Sequence, residues 1–540
     1  MDRAAFKPGG MFRRAGLARS AAVVTALGAS AQILGLGTQA IIAGAFGAHA
    51  EMDAFLAANT LPQYVVTVLL GALVVVFVPV FIDYDGRGRS ADAWHVASAV
   101  VTAAGLLLAG LATVGLLLAG PLIRLSTPGL SPESLALATQ VARITWPSIA
   151  ASGIVGLITG IYHASGRFAW PALVPVLGTA LNLALVAPLA QSFGVSGVAI
   201  AAVAGLTLQA LLLLRGVTGR GRLQFSLDWS HPGVIRIVSL LWPLMLSGLL
   251  IRYTPVVDRY LASGLAEGSI SHLGYAFKVV TILSMFLSTG IATVVFPRMA
   301  LNIAMCDMQA MRATVSLALR VMWLGVAPLI AIGFVLAQPV VALLFERGAF
   351  VARDTAAVAA LLGIYLLSLC GACLGSVTGR AFYALKQTRT LAVMGVLEAI
   401  AYAAYTAALA ASFGARGVAV AYVAYHSLSV MWHLPLLRWR LGRRGGAGLF
   451  TSFLRTGAAA LFGSLAAAQA MAMASRPWIQ FTVGAGSGIA AYVGAMCLWG
   501  GPESRSAPSV VAVVIRRGWG GKMDDGKQVR SSVAVSSSAP

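Results

Sequence analysis

The stretch Ser192-Phe193-Gly194-Val195-Ser196-Gly197-Val198-Ala199 returns, slightly altered, as Ser412-Phe413-Gly414-Ala415-Arg416-Gly417-Val418-Ala419, and an apolar run follows each copy. The second copy begins 220 residues after the first. That interval is far too long for a solenoid unit, but it fits a helical bundle duplicated inside one membrane protein around a shared central cavity. The chain therefore reads as two related halves, an arrangement that points toward transport.

Composition agrees. Of the 540 residues, 59% are hydrophobic and only 10% are charged, and the mean hydropathy of +0.86 is that of a chain solvated by lipid. A helix needs roughly 20 apolar residues to cross a bilayer, and the runs between Ser20 and Gly500 support about fourteen such helices. No soluble catalytic domain fits between them, and no catalytic residue is expected. The net charge of +21 is not a nucleic-acid signature, because the basic residues cluster at alternate helix ends. Arg13, Arg14 and Arg19 precede the first helix, Arg87 and Arg89 follow the second, and Arg215, Arg220 and Arg222 follow the sixth. Arg438, Arg440, Arg443 and Arg444 come after the twelfth, whereas the segments holding Glu51 and Asp53, 191–196 and Glu267 are poor in Lys and Arg. This positive-inside pattern places both termini in the cytoplasm, with an even helix count.

The expected organisation follows: a basic N-terminus over 1–19, a first lobe over 20–219, a second over 234–441, two further helices within 452–500, and a disordered tail over 501–540. The first apolar run resembles a signal peptide up to Ala29-Ser30-Ala31 but continues past Ile42, so it is read as a retained helix. Cys370 and Cys373 lie within an apolar helix beside Gly371, where small residues serve packing, and the seven His form no metal-ligand pattern. Near helix ends, His163, His272 and His433 read as interfacial polar residues.

Ionisable residues inside spans carry the most information, since each costs about 2.5 to 3.5 kcal/mol at the bilayer centre. They are Arg143, Arg252, Asp258, Arg259, Lys278, Arg320 and Glu398. Asp258 and Glu398, facing one another, could hold a cation or share a proton; the alternative is an internal ion pair of Glu398 with Arg252 or Lys278. Prolines at 62, 79, 147, 171, 175, 243, 255, 297 and 328 allow helices to bend.

Four groups of residues resemble one family. The first is Ala43-Gly44-Ala45-Phe46-Gly47 with Asp53-Ala54-Phe55, Leu61-Pro62, Gly71-Ala72 and Phe77-Val78-Pro79. The second is Gly166-Arg167-Phe168 with Pro171-Ala172, Pro175 and Asn182. The third is Leu344-Phe345-Glu346-Arg347-Gly348-Ala349-Phe350 with Asp354-Thr355, and the fourth Phe382-Tyr383-Ala384 with Lys386, Thr388 and Arg389. In this order they resemble the MurJ/MviN lipid II flippases of the multidrug/oligosaccharidyl-lipid/polysaccharide exporter superfamily, over residues from about Thr25 to Arg440.

The resemblance implies an all-α membrane bundle of two pseudo-symmetric six-helix lobes plus two C-terminal helices, near 453–473 and 478–499, that help form a groove for a polyprenyl chain. It implies a polyprenyl-pyrophosphate-linked saccharide as substrate, flipped by alternating access among membrane lipids, with cell-envelope synthesis enzymes as partners. On this reading Lys278, Arg252, Asp53, Arg143 and Asn182 are the substrate-binding candidates. Asp258 and Glu398 are the coupling candidates, for Na+ or H+, and no other cofactor is expected. The chain departs from the family where Thr38-Gln39 and Gln32 replace first-lobe arginines and where Lys278 stands for an Arg. Lys lacks the bidentate fork that suits pyrophosphate, so another lipid-linked oligosaccharide is an expected variation. The alternatives are a MATE-like cation-coupled exporter, a membrane-embedded transferase and a non-transporting paralog.

Overall fold

The computed structural model describes residues 14–218, 223–442 and 448–499; the basic stretch before Arg14 and the tail 501–540 lie outside the described residues. Backbone groups in lipid must be satisfied within the segment, so a chain of this composition folds as helices. The described residues form sixteen helices and no strand. The first seven are α1 (Arg14–Phe46), α2 (Ala50–Gly86), α3 (Ser90–Leu117), α4 (Ala119–Ser126), α5 (Pro132–Thr145), α6 (Ser148–Ala164) and α7 (Ala169–Thr218). Then come α8 (Pro232–Ile251), α9 (Thr254–Ser263), α10 (Ser269–Ala304), α11 (Met308–Val335), α12 (Ala337–Phe345), α13 (Ala352–Ala384) and α14 (Thr388–Leu441). The C-terminal pair is α15 (Leu449–Ala472) and α16 (Pro477–Leu498).

Ten of these helices are long and apolar enough to cross a bilayer, and α5 with α6, bent by 40° at Trp146-Pro147, makes an eleventh crossing. The duplicated sequence explains two more, because α7 and α14 each break at its glycine. Gly194 has φ 60° and ψ −143°, and Gly414 has φ 59° and ψ −137°, a conformation that only glycine adopts without strain. Each break folds the helix back on itself. Gly178 and Gly205, on opposite limbs of α7, lie so close that a Cβ on Gly205 would stand 2.4 Å from the Gly178 carbonyl oxygen. In α14 the Tyr402 and Tyr425 rings meet across the limbs at 5.3 Å. With each hairpin counted as two limbs the eleven crossings become thirteen, and the shorter apolar helix α8, continued by α9, completes the path from α7 to α10.

The two halves share packed cores at both ends, through different elements. At one end Ile42, Ala43, Ala48 and Met52 pack in one cluster with Ile270, Leu273, Tyr275, Phe345 and Phe350. At the other end Val234 and Ile237, the opening turns of α8, join the first-half core of Phe77, Phe81, Val96 and Tyr162. The connection 223–231 is strapped to α3 by hydrogen bonds from the Gln224 and Ser226 amides to the Ser98 and Thr102 hydroxyls, at 3.1 and 3.3 Å. Arg236 of α8 pairs with Asp83 of α2 at 3.1 Å, and His95 meets Asp228 at 2.9 Å. Hydrogen bonds from Ser230 and His95 hold the exposed Asp228 carboxyl down to about 2. The C-terminal pair docks on α11, where Tyr492 donates to the Leu324 carbonyl at 2.8 Å and Trp323 stacks on Phe453 at 5.2 Å.

Next to each hairpin break a second glycine sits against the chain itself: a Cβ on Gly197 would lie 1.9 Å from the Leu189 carbonyl oxygen, and one on Gly417 1.9 Å from that of Leu409. We predict that Gly197→Ala and Gly417→Ala each cost ~1–3 kcal/mol through overpacking. Gly457→Ala and Gly494→Ala, where an added methyl meets nothing within 4 Å, should melt like the parent. Thermal melts of the four variants in detergent check this, and equal midpoints would contradict it.

Candidate functional site

At the end where Ile42 and Met52 pack with Ile270 and Phe345, the first turn of α2 meets the first turn of α10, and each caps the other. Asp53 Oδ2 accepts a hydrogen bond from the Gly268 amide at 2.8 Å, and Oδ1 accepts one from the Ser271 amide at 2.7 Å. These are amides that a helix start leaves unpaired, and the positive end of the α10 dipole favours the carboxylate. In return Glu267 Oε1 accepts from the Ala50 amide at the start of α2, at 3.1 Å. Gly268 takes φ 85°, and a Cβ there would stand 2.4 Å from the Ala48 carbonyl oxygen, so the close approach needs glycine.

Around this reciprocal cap a second set of bonds crosses between the halves. The Ala349 amide donates to the Gly44 carbonyl at 2.8 Å, the Tyr275 hydroxyl donates to the Gly47 carbonyl at 3.1 Å, and the Gly129 amide donates to the Ser263 hydroxyl at 3.2 Å. His272 Nε2 sits 3.0 Å from Asp354 Oδ1, while Asp354 Oδ2 accepts from the Val351 amide and caps α13. His272 is thus a clamp between α10 and α13 rather than a loose interfacial residue, and His433 is buried within α14 beside Thr378. The Asp53 segment and the 344–354 segment, far apart in sequence, build one closed latch.

The remaining candidates are spread along the interior. Lys278 is half-buried on α10, about 15 Å along the helix from its N-terminal cap, which puts it near mid-membrane. Arg252 is exposed at the break between α8 and α9 and lies over α2, where a Cβ on Gly71 would be 3.5 Å from its Nη2. Arg143 is exposed at the end of α5, just before the Trp146-Pro147 bend. Asn182, on the first limb of α7, keeps a buried Oδ1 without a hydrogen-bond partner. Asp53 is buried and both its oxygens are engaged in the latch.

Asp258, on α9, accepts a hydrogen bond from the Tyr402 hydroxyl of α14, and the Tyr253 hydroxyl donates to the Ala399 carbonyl one turn earlier on the same helix. Arg259 donates to the Ile270 carbonyl at 2.7 Å and has Asp258 and Asp53 as electrostatic neighbours. The five ion pairs among the described residues include neither Asp258 nor Glu398, so the alternative pairing of Glu398 with Arg252 or Lys278 is not formed. Among the described residues no group of three or more His, Cys, Asp or Glu could hold a metal ion. Asp258 has a phenol as its hydrogen-bond partner, and a carboxylate so placed is an oxygen ligand of the kind that a proton or a hard cation takes. Glu267, Tyr402, Gly268 and Asp354 complete these contacts but were not singled out as site residues from sequence. Only Asp354 carried a signal, in the 344–355 motif.

Removing a cap of this kind costs about 1–2 kcal/mol. Asp53→Ala should therefore open the latch measurably, with Asp53→Asn in between because one of its two acceptors is lost. In a background stripped of native cysteines, Ser271→Cys, at a fully buried position, should resist maleimide labelling with Asp53 present and label readily in Asp53→Ala. Unchanged labelling would remove the latch role.

Comparisons with known proteins agree with this architecture. The family model "Lipid II flippase MurJ" matches residues 42–486. The "Probable lipid II flippase MurJ" of Vibrio cholerae is 27% identical over 440 residues, 78% of this chain and 82% of that protein. The "Lipid II flippase MurJ" of Burkholderia cenocepacia is 27% identical over 375 residues, 66% of this chain and 72% of that protein. Among solved structures, "Lipid II flippase MurJ, inward closed conformation" superposes with a TM-score of 0.75 at 21% identity, covering 88% of this chain and 98% of that one. An inward-facing MATE family transporter of the MOP superfamily superposes with a TM-score of 0.67 at 16% identity over 79% of this chain and 98% of its own. The likeness to the MurJ structure exceeds that to the MATE structure and includes a larger share of this chain. With most of its length matched by the family model, the chain belongs to the lipid II flippase MurJ family.

Proposed function

We propose that this protein flips an undecaprenyl-pyrophosphate-linked saccharide, lipid II or a closely related lipid-linked oligosaccharide, across the bacterial inner membrane. The observation that carries the reading is the reciprocal cap between α2 and α10, in a chain of this family: one end of the bundle is shut by a few hydrogen bonds between the halves. Alternating access needs such a seal, strong enough to hold and weak enough to break. By the positive-inside pattern the latch end is periplasmic and both termini are cytoplasmic. The structure then corresponds to a carrier closed outward.

In this cycle the polar headgroup enters between the halves from the cytoplasmic side while the polyprenyl chain stays in lipid. Lys278, half-buried near mid-membrane, supplies positive charge for the pyrophosphate, with Arg252 at the α8–α9 break and Arg143 at the α5 end as further contacts. The unpaired Oδ1 of Asn182 offers an acceptor to a sugar hydroxyl. Breaking the latch then lets the halves pivot, with α8 held to the first half by Arg236–Asp83 and the α8–α9 break at Arg252-Tyr253 taking up the rotation. Protonation of Asp258 would weaken its hold on Tyr402 and couple the return to the proton gradient. Each unit charge moved is worth about 2.3 kcal/mol per 100 mV.

The test is complementation of cells depleted of their own lipid II flippase, read as lipid II exposed at the outer leaflet. Expression of this chain should restore exposure; normal membrane expression without rescue would contradict lipid II as substrate. We predict that Lys278→Ala reduces exposed lipid II at least tenfold and Lys278→Arg retains it, while Arg353→Ala, at an exposed position in the first turn of α13, is neutral. Asp258→Asn should abolish the pH dependence of transport and leave any sodium response unchanged; a sodium requirement lost in that variant would overturn proton coupling.

A further inference from the structure

The two limbs of α14 enclose a groove of about 250 Å3 that the flipping cycle does not use. On the first limb Met394, Leu397, Glu398, Ala401 and Tyr405 line it, and on the second Tyr425, Leu428 and Trp432. The spacings are helical on both limbs, so each presents one continuous stripe to the other. The walls are almost wholly apolar and aromatic, yet a carboxylate stands among them. Ser429 lies near the Glu398 carboxyl, whose Oε1 is buried without a hydrogen-bond partner. The Tyr405 hydroxyl, two turns further along, is likewise buried and unpartnered.

Two orphaned polar atoms just behind the wall of one apolar groove are costly, about 1–3 kcal/mol for a neutral group and more for a charged one, until a rotation of the side chain brings them to a donor in the groove. An inorganic cation does not suit the place, since the groove offers a carboxylate and two hydroxyls against a surface of hydrocarbon. A ligand that donates one or two hydrogen bonds, carries one positive charge and covers the rest with apolar surface suits it. The flanking rings of Tyr405, Tyr425 and Trp432 add cation–π attraction. Glu398 lies about 15 Å along α14 from its start at Thr388, near the middle of the hydrocarbon layer, too deep for the headgroup of a neighbouring phospholipid.

We propose that this groove binds a free hydrophobic primary amine in its protonated form, with the ammonium drawn to the Glu398 carboxyl and the apolar body between Leu397, Leu428 and Trp432. The inference is independent of the flipped substrate, because it concerns the α14 hairpin alone. Its occupancy bears on the carrier through one turn of helix: Tyr402, which holds Asp258, and Ala399, which accepts from Tyr253, sit on the limb that Glu398 belongs to.

The probe is 2-phenylethylammonium, with uncharged propylbenzene as a shape-matched control. The full chain is placed in nanodiscs of phosphatidylcholine and phosphatidylglycerol, and binding is followed by calorimetry and by tryptophan fluorescence. Saturable binding of the amine at least tenfold tighter than propylbenzene, lost on Glu398→Gln while that variant still binds propylbenzene, is the expected result. Leu428→Trp, which fills the groove, should abolish binding of both. Equal affinity of the amine and propylbenzene in the parent protein would overturn the proposal without recourse to any variant, as would full retention of amine binding in Glu398→Gln.

Discussion

One carboxylate on two backbone amides organises this molecule. Asp53 reaches from the first half of the chain to the start of α10 in the second, and it satisfies amides that the helix cannot satisfy for itself. The buried carboxylate takes the place of water on those amides, and its removal leaves them without a partner while the end stays shut. In the structure the latch is closed, with Asp53 buried and both its oxygens bonded. Everything nearby serves the approach, from the positive φ of Gly268 to the Gly348 turn pressed on the Gly44 carbonyl.

The opposite end is built differently. There the halves are held by the strap 223–231 and by exposed ion pairs such as Arg236–Asp83, each worth about 1 kcal/mol or less. The first turns of α8 share the core of the first half although the rest of the span continues into α9 and the second. A carrier of this kind pivots where a helix is interrupted, and the break at Arg252-Tyr253 lies between the two allegiances.

Much of this was legible in the sequence. The Gly194 and Gly414 repeats gave away the duplication, and the structure assigns both the same backbone conformation, because only glycine folds a helix back at that point. Hydropathy gave the helical membrane class, and the motif residues gave the family. What could not be read was pairing. Asp53 and Glu267 stand in different halves, and no periodicity tells that each caps the other's helix. The sequence left open whether Asp258 and Glu398 face one another or Glu398 pairs with Arg252 or Lys278; in the structure Asp258 meets Tyr402, and Glu398, one turn away on α14, lines the groove between the two limbs. A helix puts residues four apart on the same side, one turn above the other, so spacing alone does not tell which of the two a packed partner takes up.

The central claim is that the Asp53 cap holds the two halves together at one end. Spin labels at the exposed positions Glu133 on α5 and Arg353 on α13, one on each half beside the latch, report it directly by electron–electron distance measurement in nanodiscs. The account predicts one narrow, short distance distribution in the parent and a second, longer population in Asp53→Ala. Identical distributions in the two proteins would contradict it.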